Sequence, residues 1–140
     1  MKFLVVGLGS MGKRRVRCLM ALGHKEIYGY DTREDRLESA VALYDIVRVD
    51  SITGFNFQDM DGILISTPPD KHNEYLEYAI QYSIPAFVEA SVLIDHVKSI
   101  QQKITEKPVF IAPSCTLSFH PLVKEIKEIV HSKKYGKITN

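Results

Sequence analysis

The chain has 140 residues, of which 45% are apolar and 25% charged. That suffices for one domain with a core, is too short for two ordinary ones, and is too apolar for a disordered chain. A formal net charge of +1 excludes nucleic-acid binding through a generally basic surface; the run "KRRVR" (Lys13 to Arg17) is a local exception. No stretch approaches the roughly 18 apolar residues of a membrane span, and "MKFLVVGLG" runs into glycines and basic residues rather than a cleavage site. A cytoplasmic protein without a membrane partner is expected. Cys18 and Cys115 lie far apart, with no Cys or His at metal-ligand spacing. They are expected to be reduced, partly buried thiols, and no metal is expected.

In chain order, "KFLVVG" is a compact apolar run of the kind that forms a strand buried on both faces. Beyond the glycines, Val16, Leu19, Met20 and Gly23 recur at helical spacing. "EIYGYD" reads as a second strand. Residues 33–43 read as a helix with Leu37, Ala40, Val41 and Tyr44 inward, and "DIVRV" as a weaker third strand. "DSITGFNFQDMDG" is irregular, a loop with a short turn. "GILIS" is a fourth strand ended by "TPPD", with Asp70 the N-cap of the helix "KHNEYLEYAIQYS". "PAFVEA" is a fifth strand, and "LIDHVKSIQQKIT" a helix burying Ile94, Val97, Ile100 or Gln101, and Ile104. "KPVFIAP" is a sixth strand. A last helix over 120–132 is amphipathic through Val123, Ile126, Ile129 and Val130.

This alternation predicts an α/β fold: a doubly wound, mainly parallel six-stranded sheet with helices on both faces. Such sheets bind ligands outside the carboxyl ends of their strands. "GLGSMG", "YDTR", "STPPD", "VEAS" and "APSC" all fall there.

The stretch "GLGSMGKR" fits two phosphate loops at once. As G-x-x-x-x-G-K it approaches a nucleotide-triphosphatase loop, but Arg14 stands where a Ser or Thr must ligate Mg²⁺, and guanidinium has no lone pair to give. The fourth strand, moreover, does not end in a metal-binding Asp. As G-x-G-x-x-G it is a dinucleotide fingerprint. Gly7 makes the tight turn, Gly9 admits a pyrophosphate to the backbone, and Gly12 allows close helix–strand packing. Leu8, Ser10 and Met11 complete the loop, so that the diphosphate rests on a helix N-terminus. Asp31, closing the second strand beside Thr32 and Arg33, is the acid expected on the ribose hydroxyls. Its charge repels a 2′-phosphate, which favours NAD over NADP. Arg33 either offsets that by pairing with a phosphate or is a solvated helix-start charge. The basic run is either a solvated helix face or brings Lys13 or Arg14 near phosphates or an anionic sugar.

"VGLGSMGKRRVRCL", "GILISTPPDKHNEYLEYAIQYSIPAFVEAS" and "SFHPLVKEIKEIV" together make the chain resemble the N-terminal, Rossmann-type domain of the Gfo/Idh/MocA oxidoreductases. The resemblance implies a nicotinamide-dependent enzyme moving hydride between NAD(P) and a sugar- or cyclitol-like substrate. It places Ser66, Thr67 and Pro68 against the nicotinamide ribose, with His72 close by and Glu89 retained at the fifth strand end. On its own, His72 at a helix start is more often a structural hydrogen-bonding residue. Where the family commonly carries a catalytic Lys, this chain has Ala90, whose methyl group cannot donate a proton to an alkoxide. No catalytic residue is therefore assigned, His120 being a local alternative. The resemblance also implies a second, sheet-rich substrate domain near whose expected start the chain stops. Residues 1–140 are then a single dinucleotide-binding domain, expected as a truncated piece rather than a natural lone domain, with any homo-oligomer forming through the missing part. The competing reading is a non-catalytic NAD-binding module or redox sensor.

Overall fold

The strand β1 (Lys2–Val6) lies mid-sheet because both of its faces are apolar: Leu4, Val5 and Val6 are all buried. In this computed structural model, which describes residues 1–90 and 94–136, it is followed by α1 (Ser10–Ala21), β2 (Glu26–Tyr30), α2 (Glu34–Tyr44) and the two-residue β3 (Val47–Arg48). Then come β4 (Gly62–Ile65), α3 (His72–Tyr82), β5 (Ala86–Val88), α4 (Ile94–Glu106), β6 (Ile111–Pro113) and α5 (Pro121–Ser132). The sheet has the order β3-β2-β1-β4-β5-β6, every pair parallel. The chain winds outward from β1 in one direction and then crosses to β4 on its other side, so the switch point lies between β1 and β4.

Alternate strand residues serve two separate cores. Leu4, Val6, Ile63, Ile65, Ala86 and Val88 pack with Leu76, Ala79 and Ile80 of α3 and Ile100 of α4. Val5 and Ile27 pack with Val16 and Leu19 of α1 and Leu37 and Ala40 of α2. The irregular stretch after β3 contributes more than its composition suggests. Ile52, Phe57 and Met60 are buried, and Phe57 stacks on Tyr78 and Tyr82 of α3.

Register aligns the strand ends. Val6 pairs with Tyr30 and with Ile65, Ile65 with Val88, and Val88 with Pro113. Gly7, Asp31, Ser66, Glu89 and Ser114 therefore leave the sheet at one level. Four of them still carry its ladder: the amides of Gly7, Ser66, Glu89 and Ser114 donate to Tyr30, Val6, Ile65 and Val88 at 2.7–3.0 Å.

Several expectations are corrected. Met20 is 45% exposed, because the buried stripe of α1 runs through Gly12, Val16 and Leu19; Gly23 lies beyond the helix. Gln101 is exposed, and Ile100 occupies the inward position; the side chain of Ile94 lies outside the described residues. Asp70 does not cap α3: Pro69 draws it into a 3₁₀ turn over Pro69–Lys71, and the helix starts at His72 without a side-chain cap. Both cysteines are exposed rather than partly buried, since Cys18 lies off the stripe of α1 and Cys115 follows the edge strand β6. The last helix forms, capped by His120, whose Nδ1 accepts the Leu122 amide at 3.3 Å. Its apolar stripe is not packed on the sheet: Ile126 and Ile129 are 57% and 42% exposed. Among the described residues, no helix is long and apolar enough to cross a membrane.

Candidate functional site

A cleft of about 430 Å³ opens at the carboxyl edge beside the switch point. Gly7, Asp31, Thr32, Arg33, Ser66, Thr67 and Pro68 line it, as does a set that the motifs did not signal: Tyr30, Arg36, Lys71, Glu74 and Tyr75. Their only sequence signal is position, at a strand end, on the first turns of α2 and α3, or, for Lys71, just before α3.

Gly7 turns the chain with φ +85°, and a Cβ there would meet the Ser66 backbone at 2.8 Å. A Cβ on Gly12 would come within 1.7 Å of the Gly7 carbonyl oxygen. These two glycines let α1 start hard against the sheet. Gly9 differs: its backbone is extended (φ −66°, ψ −164°), and an added Cβ would meet only the Arg36 guanidinium, at 3.6 Å. Gly9 sits at the N-cap of α1, and no side chain caps that helix. The amides of its first turn, from exposed Ser10 and Met11 onward, have no intrahelical acceptors and favour an anion.

Asp31 is held facing this loop. One carboxylate oxygen accepts the Leu8 amide at 2.6 Å and the other the Arg33 amide at 2.9 Å. These charge-assisted bonds orient the carboxylate, and its remaining lone pairs stay available to hydroxyl donors. Leu8 itself is fully buried in the α1/α2 core. The Arg33 side chain grips Asp35, at 3.0 and 2.6 Å. That hydrogen bonding raises the guanidinium's pKa and lowers that of the Asp35 carboxyl.

Across the cleft, Ser66 Oγ and Thr67 Oγ1 are buried with no partner among the described residues. Orphaned hydroxyls are costly unless something hydrogen-bonds them, so this wall suits a polar ligand. A helix start that favours anions, an acid for a diol and two unmet hydroxyls together fit a dinucleotide. Tyr30 and Tyr75 meet edge to face beneath the wall, with centroids 6.4 Å apart. Burial, with help from Glu74, raises the Tyr30 phenol and pushes Tyr75 up to about 12.

The remaining candidates lie outside the lining of this cleft. His72 is 1% exposed, and its Nε2 donates to the Thr67 carbonyl at 2.8 Å. A carbonyl acceptor requires the proton on Nε2, so the ring pins the strand-end turn that carries Thr67. Glu89 is paired with Arg15 at 2.6 Å, and Arg15 also lies over the Phe87 ring. Within the basic run, Lys13 bonds Ser39 at 2.7 Å and Arg17 bonds the Tyr44 hydroxyl at 2.9 Å. Three of the four cations thus tie α1 to α2 or β5, while Arg14 is exposed. Ala90 is exposed just past β5, and His120 is occupied as the cap of α5.

Comparison with known proteins agrees with this geometry. A family model described as "Oxidoreductase family, NAD-binding Rossmann fold" matches residues 1–114. An inositol 2-dehydrogenase of Klebsiella pneumoniae is 33% identical over 94 residues, 64% of this chain. The chain spans 28% of that relative's length. Two solved structures share the fold. A scyllo-inositol dehydrogenase of Lactobacillus casei with bound NAD(H) and scyllo-inositol aligns with a TM-score of 0.79 at 22% identity, over 99% of this chain and 43% of its own. A Synechocystis biliverdin reductase in complex with biliverdin and NADP⁺ aligns at 0.74 and 17%, over 91% of this chain and 42% of its own. A glycine turn at the head of β1, an acid at the end of β2 and a family match across the whole sheet lead to one assignment: the chain belongs to the Gfo/Idh/MocA oxidoreductase family and carries its NAD-binding Rossmann domain.

Proposed function

We propose that residues 1–140 form the cofactor-holding unit of a dehydrogenase acting on a sugar- or cyclitol-like substrate, and that it prefers NAD to NADP. The observation that carries this reading is the shared register of Gly7, Asp31 and Ser66 at the switch point, with Gly9, bordered only by the end of the Arg36 side chain, at an uncapped helix start. In this reading the amides at Gly9, Ser10 and Met11 receive the pyrophosphate and Asp31 binds the adenosine ribose. Ser66, Thr67 and Pro68 bound the nicotinamide side, with Thr67 held by His72. The bound cofactor supplies hydride chemistry; the protein supplies position and electrostatics. Preference for NAD follows from the Asp31 carboxylate at the end of β2, which would repel a 2′-phosphate, while the Arg33 guanidinium two residues on is paired with Asp35. The inositol dehydrogenases among the relatives support the substrate class. Substrate recognition and turnover would draw on more chain than is matched here.

Ala90 favours a second reading, a module that binds NAD without turnover, because no proton-transfer group stands at that position. Two measurements test these proposals. Calorimetric titration of the chain is expected to show NAD binding about tenfold or more tighter than NADP, a difference of about 1.4 kcal/mol or more; no preference for either dinucleotide over AMP would overturn the assignment. In a full-length protein containing this chain, NADH formation from inositols would support the enzyme. Tight NAD binding with no NADH formed from any cyclitol or sugar would support the module.

A further inference from the structure

The Arg36 guanidinium lies over Gly9, its Nη1 3.6 Å and its Cζ 3.9 Å from where a Cβ would stand. It is half-buried on α2 and lines the cleft. Three other arginines are engaged: Arg33 with Asp35, Arg15 with Glu89 and Arg17 with Tyr44. Arg36 has no side-chain acceptor among the described residues. It therefore brings its planar donors beside Gly9, at the uncapped start of α1, with no carboxylate hydrogen-bonded to them among the described residues.

Resting on the dinucleotide reading above, we infer that Arg36 is a phosphate clamp: it closes over the adenosine-side phosphate from α2 while α1 holds the same anion from below. Guanidinium and phosphate match as a bidentate pair.

The test titrates wild-type, Arg36→Gln and Arg36→Lys proteins with NAD, NADP, ADP and adenosine at two salt concentrations. Arg36→Gln is expected to weaken NAD, NADP and ADP alike by about tenfold or more, the loss of a charge-assisted bond, and to leave adenosine within about twofold. It should also reduce the salt dependence of ADP binding. Arg36→Lys, which keeps the charge and loses the fork, should fall between, and it serves as the readout if the Gln variant does not fold. Unchanged ADP affinity overturns the inference. So does an equal loss for adenosine, which would mean stacking, and so does a loss confined to NADP, which would mean a 2′-phosphate contact. If the wild-type protein binds neither NAD nor ADP, the dinucleotide reading itself fails, and that is visible before any variant is compared.

Discussion

The glycines of the first turn carry one motif but different physical duties. Gly12 and Gly7 are excluded from bearing a side chain by backbone atoms at 1.7 and 2.8 Å, and Gly7 also by its positive φ. Backbone cannot move aside without lifting α1 from the sheet. Gly9 has an ordinary extended conformation and only the end of a flexible Arg beside it. Gly12→Ala is therefore expected to lose several kcal/mol or fail to fold. Gly9→Ala should melt within about 3 °C of wild type, as a surface change of under about 0.5 kcal/mol would, yet lose most NAD affinity, because its methyl group occupies the path of the pyrophosphate. Thermal melts and NAD titrations of the two variants check this, and equal effects of both on stability would refute it. Spacing alone makes the turn and the packing legible, since they depend on neighbours a few residues away. It gives no hint that Arg15, read as part of a basic run, would pair with Glu89, 74 positions later.

Among the elements, strands and helices fall within a few residues of where periodicity and turn residues put them. Burial on both faces explains this for the strands: a continuous apolar run has no other stable place in an α/β fold. The errors share a cause. Asp70 has the chemistry of a cap, but Pro69 beside it sets a tighter turn. The helix α5 has the stripe of a packed helix, yet among the described residues its main contacts are with the preceding turn over Thr116–Phe119. Periodicity reports that a face is apolar; it does not say what will cover it. Replacing Ile126 and Ile129 together by Lys should change urea stability by less than about 0.5 kcal/mol. Ile63→Ala, in the core at 1% exposure, should cost about 2–5 kcal/mol. A large loss for the Lys pair would mean that α5 is integral to the fold.

For the whole molecule, the alkaline dependence of stability is expected to reflect the layer where Tyr30 of β2 meets Tyr75 of α3. Tyr75 stays neutral in the folded state to about pH 12, burial being the main cause, whereas in the unfolded chain it ionises near the ordinary 10.0. Its folded pKa is raised, so its contribution is fully present below about pH 10 and is lost as pH rises towards 12, where the unfolded chain has released a proton that the folded one retains. Unfolding free energy measured against pH should decline through that window, and Tyr75→Phe should make the decline shallower. A curve unchanged by the substitution would show that Tyr75 is not the group responsible. Local chemistry, meanwhile, was readable along the chain: where strands run, where glycine is obligatory, and that an acid follows the second strand. Each of these depends on residues adjacent in sequence. The cleft's unmet hydroxyls, the pairing of Arg33 with Asp35 and of Arg15 with Glu89, the free guanidinium of Arg36 and the uncovered face of α5 arose only on folding. They depend on which side chains the sheet register and the crossover at β1 bring into contact, and a linear pattern carries no information about distance across the sheet.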